Sequence, residues 1–281
     1  FVLPDEESCL FKVREILDYV PVNTGDALVF TREAITFDDA NRSSDVLNDI
    51  AAAADTSGLD IRAVFTEVSD LGAFLEVWDR YGTDIVTAFA KLDGISVGLI
   101  GNASSRISEA GAKKAAELVR FCSAFMIPIV TFTNSEGFVM DADAEKSGLL
   151  KAAGELITAF SQSDVPRIGV LTGKAIATAY LAMNSKMLGA DMIFAWPTAE
   201  VAVLPADTAA NILYKKEIAE SEDPGALRDE KVGEYREQIS DPETAAGFGQ
   251  VDELILPSAT RPRIISALDI LLCAYPLVET D

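Results

Sequence analysis

Three stretches of this sequence carry an apolar run straight into polar or small residues: GLIGN at 98–102, TFTNSEGF at 131–138 and LTGKAIATAY at 171–180. Each reads as a buried strand feeding a turn, and in a parallel sheet such turns gather along one edge, where ligands bind. The second and third can present backbone N–H groups, and the third opens a helix whose N-terminal end carries partial positive charge. Two converging N–H donors make an oxyanion hole, which stabilises an oxygen gaining negative charge without any titrating side chain. Spacing alone allows ordinary strand-to-helix turns equally well. Histidine is absent from the chain, so a Ser-His-Asp triad, His-ligated zinc and an imidazole base are all excluded. Cys9, Cys122 and Cys273 are too few and too scattered for a four-ligand zinc site or a disulfide framework. They read as small apolar fillers, no metal site is expected, and a reducing cytoplasm fits best.

The elements that position these turns come next. The chain has 281 residues, room for one large domain or two small ones at roughly 150 residues each. Lys and Arg total 23 against 45 Asp and Glu, a net charge of -22. Nucleic acid and anionic membrane surfaces both demand a basic face, so neither is an expected partner. With 49% hydrophobic and 24% charged residues the composition is that of a folded protein. No apolar run approaches the roughly 20 residues of a membrane span; the strongest, Ile95 to Ile100, stops at Gly101 and Asn102. The chain begins FVLPDEES, with no Met and no basic region ahead of an apolar stretch, so no signal peptide is expected and an excised leading segment is suggested.

Glu6 to Tyr19 places Leu10, Val13, Ile16 and Leu17 at helical spacing before Pro21. Residues from Pro21 to about Ser57 read as an arm or linker with one short helical candidate at Asn48 to Ala54, which divides the chain into an arm over 1–57 and a main domain over 58–281. From there IRAVFTEV, FLEVW, DIVTAFAKL and ISVGLIGN predict consecutive strands. A helix over Ser108 to Phe125 follows, then a strand at Pro128 to Phe132, a helix at Glu145 to Gln162 and a strand at Arg167 to Thr172. A helix at Ile176 to Met187, strands at Met192 to Trp196 and Val201 to Leu204, helical content over Ala206 to Ile239 and a last helix at Arg261 to Ala274 complete the order. Such alternation predicts an α/β class with parallel pairing and right-handed crossovers. The charged stretch Glu217 to Glu237 reads as an exposed helical arm, Trp196 as a core plug, and Glu200 as a cap or buried hydrogen-bonding group.

The segment GKAIATAYLAMNSKMLGADMIFAWPTAEVAVLPADTAANILYKKEI, from Gly173 to Ile218, resembles the most recognisable stretch of the carboxyltransferase subunits of biotin-dependent acyl-CoA carboxylases and decarboxylases. DIVTAFAKLDGISVGLIGN at 84–102, KKAAELVRFCSAFMIPIVTFTNSEGF at 113–138 and AAGFGQVDELILPSATR at 245–261 support it in the same order. The opening from Glu6 to Asn23 and DIRAVFTEV at 60–68 are similar as well, so nearly the whole chain is covered. The resemblance implies a crotonase-like spiral of β-β-α units with an N-terminal helical arm and C-terminal helices. It further implies the C-terminal, biotin-side half of a subunit whose N-terminal half holds acyl-CoA. The activity implied is transfer of CO2 between carboxybiotin on a biotin carboxyl carrier protein and an acyl-CoA, in a homo- or hetero-oligomer whose reaction site lies between halves of different subunits.

On that resemblance the family's Gly-Gly-Ala-Tyr turn aligns with Ala177, Thr178, Ala179 and Tyr180. The N–H groups of Thr178 and Ala179 become the expected oxyanion donors, with Gly137 and Phe138 as a second pair. Ala177, Tyr180, Leu181 and Lys174 are the expected cofactor-side residues, the apolar Leu181 shaping the acyl pocket, although Tyr180 also reads as packing and Lys174 as surface. The sequence departs from the family in having Gly173 where Arg is usual, Ala177 and Thr178 where glycines stand, and Glu136 and Asp141 in a loop usually built from Pro and Gly. Those departures keep two other readings open: a non-catalytic assembly module with a decayed site, and a stand-alone crotonase-like acyl-CoA enzyme.

Overall fold

Runs of Val, Ile and Leu buried on both faces build the centre of the protein. The computed structural model describes residues 1–20, 30–33, 38–221, 223–273 and 277–280. Its strands are β1 (Phe30–Glu33), β2 (Phe74–Val77), β3 (Ile85–Leu92), β4 (Ile95–Asn102), β5 (Arg106–Ile107) and β6 (Ile129–Ser135). They continue with β7 (Gly137–Phe138), β8 (Arg167–Ile176), β9 (Met192–Ala195), β10 (Glu200–Ala202), β11 (Glu253–Leu254) and β12 (Leu277–Thr280). The helices are α1 (Glu6–Leu17), α2 (Asp45–Ser57), α3 (Ile61–Val68), α4 (Glu109–Ala124), α5 (Ala142–Ser147) and α6 (Leu149–Ser161). They continue with α7 (Ala177–Ala182), α8 (Ala206–Leu213), α9 (Lys215–Glu220), α10 (Pro224–Gln238), α11 (Pro242–Gly247) and α12 (Thr260–Leu272).

The main sheet runs β4-β6-β8-β9-β11 in parallel, with β10 joined in parallel to the far end of β8. β3 and β2 extend it antiparallel from β4, and β5 with β7 forms a separate two-stranded parallel piece. Alternation along the strands splits the core into two layers. Val97, Leu99, Val130, Phe132, Ile168 and Val170 face a layer shared with α2, α3 and α12. Ile100 and Ile129 face a second layer built on α4 and α6. Parallel strands thus end together, and the turns after β4, β6 and β8 share one edge, as the alternation requires.

Several elements differ from the expectation. IRAVFTEV, expected as a strand, is the helix α3: Ile61, Val64, Phe65 and Val68 recur at three- and four-residue spacing and all are buried, while Asp60 Oδ1 accepts from Arg62 N–H (3.1 Å) and Ala63 N–H (3.3 Å). A capped amphipathic period outweighs the β-branched content. The stretch expected as an arm supplies α2, whose Leu47 and Ala51 are buried in the first core layer; residues 21–29 and 34–37 of that stretch, Pro21 among them, lie outside the described residues. The helix expected over 145–162 is broken at Gly148, whose φ of 97° suits glycine and ends α5. The helix expected to reach Met187 stops at Ala182 and resumes as a 3-10 turn at Lys186–Leu188. Helical content over 206–239 divides into α8, α9 and α10, and α10 is an exposed arm docked through Tyr235 on Ala206 and Ala209. The last helix closes at Leu272, and Ala274 lies outside the described residues. Trp196 plugs the core as expected, its Nε1–H donating to Thr260 Oγ1 at 2.9 Å. Cys122 is a buried filler whose thiol is pushed up by burial, whereas Cys9 and Cys273 are exposed and fill nothing. Among the described residues no helix is long and apolar enough to cross a membrane.

Candidate functional site

β8 carries the site because it outruns its neighbours. It continues past Thr172, where the apolar run ends in sequence, to Ile176, and β10 pairs with that extension at Lys174, Ala175 and Ile176. Two asparagines lock the strand ends in register: Asn102 Oδ1 accepts from Asn134 N–H (3.0 Å), and Asn134 Oδ1 accepts from Lys174 N–H (2.9 Å). This relay across β4, β6 and β8 was not foreseen; its signal in the sequence is an asparagine just past each of the first two apolar runs. Gly173 makes room for it, since an added Cβ there would stand 2.5 Å from Asn134 Oδ1.

Beyond β8 the chain turns directly into α7. Ala177 adopts a φ of 59°, in the left-handed region that costs an alanine about 1–2 kcal/mol. Its cap residue, Ile176, offers no side-chain hydrogen bond to the first turn, and first-turn N–H groups have no acceptor within their own helix. Thr178 is exposed and Ala179 buried at the start of this helix. Tyr180 is 8% exposed, and burial pushes its phenol up to about 12, which fixes it as a neutral packing group at ordinary pH. Leu181 is half-buried beside it.

The second expected pair lies close by, for β7 packs against α7. Gly137, at a φ of 150°, has its N–H turned toward Ser135 Oγ at 3.3 Å, and the single Ser135 O–H is within reach of two acceptors, Gly137 O and Ser105 O, each at 3.2 Å. That local ring engages the Gly137 amide, while Phe138 is buried in the second core layer. Of the two loop carboxylates, Asp141 caps α5 through Asp143 N–H (3.0 Å) and Ala144 N–H (2.7 Å). Glu136 Oε1 lies 2.6 Å from Lys174 Nζ.

Two adjoining cavities open along this edge, of about 350 Å³ and about 340 Å³, and Glu136, Lys174 and Glu200 line both. The first is floored by the asparagine relay; the second is flanked by Arg106, Asp207 and Arg236 and reaches Ile176, the residue before Ala177. Lys174 is the one expected site residue lining these cavities, whereas Ala177, Thr178, Ala179, Tyr180, Leu181, Gly137 and Phe138 line neither. Glu200, expected as a cap or buried group, is instead a half-buried member of β10 with Arg236 Nε 3.8 Å away. Asn102 is 2% exposed and its Nδ2 has no partner among the described residues. The edge therefore combines a strained turn with a polar cleft, an arrangement fit to hold a polar ligand.

Residues 1–274 match the carboxyl transferase domain, and the chain belongs to that family, with its crotonase-like fold. It is 37% identical over 278 residues to the methylmalonyl-CoA carboxyltransferase 12S subunit of Propionibacterium freudenreichii subsp. shermanii, covering 96% of this chain and 51% of that one. Against the propionyl-CoA carboxylase carboxyltransferase subunit of Haloferax mediterranei it is 38% identical over 275 residues, covering 96% and 53%. Among solved structures, the transcarboxylase 12S hexamer with methylmalonyl-coenzyme A and methylmalonic acid bound superposes with a TM-score of 0.92 at 35% identity, covering 100% of this chain and 54% of that one. The chain thus spans about half the length of the curated relatives it matches.

Proposed function

We propose that this chain is the biotin-side half of a carboxyltransferase that moves CO2 between carboxybiotin on a carrier protein and an acyl-CoA held by a CoA-binding N-terminal half. The names of its relatives point to methylmalonyl-CoA and propionyl-CoA as the acyl class, and the apolar Leu181 suits a short branched substituent. The bound biotin supplies the carboxyl group. The chain's part is to orient the ring and to offer the N–H groups of Thr178 and Ala179 to the ureido oxygen, which gains negative charge as CO2 leaves. The hexamer named for the 12S relative supports an oligomeric assembly. We place that assembly in the cytoplasm, where the exposed Cys9 and Cys273 stay reduced.

One observation carries this reading: Ala177 holds a φ of 59° at the position where the resemblance puts glycine. A strained backbone persists when the surrounding structure over-determines it, and such residues cluster at functional turns. That the turn keeps this conformation supports a working site over an assembly module. The test mixes this chain with the N-terminal half of the 12S relative and follows methylmalonyl-CoA decarboxylation with free biotin added. Turnover that requires both halves and biotin is the expected result. Silence, with the two halves shown to associate, overturns it.

A further inference from the structure

β8 reaches the 177–180 turn by way of an interruption in the sheet. Its pairing with β6 runs residue for residue from Ile129 with Arg167 to Thr133 with Leu171, then jumps to Ser135 with Ala175. Asn134 alone therefore faces Thr172, Gly173 and Lys174, and β8 bulges just before the turn. On the other side, pairing with β9 ends at Leu171 and pairing with β10 begins at Lys174, so Thr172 and Gly173 have no strand partner there either.

Side chains bridge this gap. Thr172 Oγ1 donates to Thr133 O at 3.3 Å, and Asn134 Oδ1 accepts from Lys174 N–H at 2.9 Å. Only the carboxamide oxygen can accept that bond, which fixes the way the amide faces. The bond from Asn134 N–H to Asn102 Oδ1, at 3.0 Å, ties the main chain at the same residue to β4. The fit is close, since a Cβ at Gly173 would stand 2.5 Å from Asn134 Oδ1, 2.8 Å from its Cγ and 3.3 Å from its Nδ2. Past the bulge β8 is gripped again, by Ser135 at Ala175 and by β10 from Lys174 to Ile176, and the next residue is the strained Ala177. Whatever sets the bulge therefore sets where the turn stands.

We propose that Asn134 is the positioning residue of the 177–180 turn: its carboxamide stands in for the missing strand partner at Lys174 and so holds the N–H groups of Thr178 and Ala179 where the ureido oxygen gains charge. This role rests on the reaction proposed for that turn, and adds to it the residue outside the turn on which the placement of the donors depends. Donors displaced by about 1 Å cost about a hundredfold in rate. Because they act on charge that develops in the transition state, the loss falls on kcat and leaves KM alone.

Turnover of methylmalonyl-CoA and free biotin by this chain mixed with the N-terminal half of the 12S relative, measured beside amide hydrogen exchange, tests it. In Asn134→Ala kcat falls about a hundredfold while the KM for biotin stays within about twofold. Exchange rises from Lys174 to Ile176, while Val130 and Ile168 in the paired part of the sheet keep their protection. Asn134→Asp retains the acceptor for Lys174 N–H and restores most of kcat. Gly173→Ala, which drives a Cβ into the carboxamide, reproduces the loss with Asn134 in place and carries the test where Asn134→Ala destabilises the domain. Adding it to Asn134→Ala costs nothing further, because the three atoms that its Cβ would meet are gone. If the unaltered halves associate but do not turn over, the biotin-side reading falls and this role with it. If they turn over but kcat is unmoved in Asn134→Ala and Gly173→Ala, if the loss appears in KM instead, or if Asn134→Asp is as impaired as Asn134→Ala, the positioning role alone is overturned.

Discussion

Arg261 and Lys174 treat a positive charge in opposite ways. Arg261 is 0% exposed, yet its guanidinium is met on all sides: Nη1 donates to Val68 O at 2.6 Å, Nη2 to Asp70 Oδ1 at 2.7 Å, and Nε to Asp39 O at 3.4 Å, with Asp38 Oδ2 at 3.7 Å. These partners come from the segment before α2 and the end of α3, so one side chain ties the start of the domain to α12. Lys174 is half-exposed, has the single carboxylate of Glu136, and stands beside an unmet Asn102 donor and a strained Ala177. Where the chain must be held, each guanidinium nitrogen of Arg261 has an acceptor, although Ser69 Oγ beside it is buried without a partner among the described residues. Where a ligand is expected, the paired Lys174 stays half-exposed and strain is tolerated at Ala177.

The harshest way to break that contrast is Arg261→Met. It keeps the volume, strips the charge, and leaves Asp38 and Asp70 without their buried cation. Removing one partner of such a cluster costs about 3–5 kcal/mol, read as a lower urea midpoint at unchanged slope. A loss under about 1 kcal/mol would make Arg261 no better than a surface pair and erase the difference between the two regions.

Acid probes the same knot without mutation. The Asp38 carboxyl is held below the usual carboxylate range, first by its hydrogen bond from Arg42 and then by Leu71 N–H and the Arg261 charge, against the opposing effect of burial. An unfolded aspartate titrates near about 3.9, so the unfolded chain takes up the proton first. Asp38 therefore contributes its full stability above that pH, and the contribution is lost as pH falls through the lower folded value. Urea midpoints measured between about pH 6 and pH 3 should decline, and Asp38→Asn should flatten the decline while lowering the neutral-pH midpoint. An acid limb identical in Asp38→Asn would assign it to other carboxylates.

How far the sequence foretold these regions follows from which interactions are local. Buried strands such as ISVGLIGN announce themselves by continuous apolar residues, and the α4 and α12 helices by their period, so the alternation and the shared edge were legible. IRAVFTEV has the length and apolar content of a strand, yet the Asp60 cap and the spacing of Ile61, Val64, Phe65 and Val68 make it α3. In the relay from Asn102 through Asn134 to Lys174 the asparagines at the run ends are visible in sequence but their pairing is not, since it joins residues 32 and 40 positions apart. The Arg261 knot was hidden for the same reason: its partners Val68 and Asp70 lie 193 and 191 positions away. The turn at 177–180 was located by resemblance, and the aligned glycine is the one hint that Ala177 keeps a positive φ, since an alanine itself gives none.

The mildest expected effect sharpens the comparison from the open side. In Ala177→Gly the backbone can hold its φ of 59° without the crowding that a Cβ suffers there, a relief of about 1–2 kcal/mol. Glycine also has more freedom to lose on folding, which returns roughly 0.5–1 kcal/mol. The net is a small gain, about 0.5–1 kcal/mol, visible as a thermal midpoint raised by a few degrees with an unchanged far-ultraviolet spectrum. The sign is what matters. A gain means that the turn is held against its own preference by the elements around it, as a preorganised donor site would be. A loss means that the Ala177 methyl earns its place by packing, and the strain then belongs to the core rather than to the cleft.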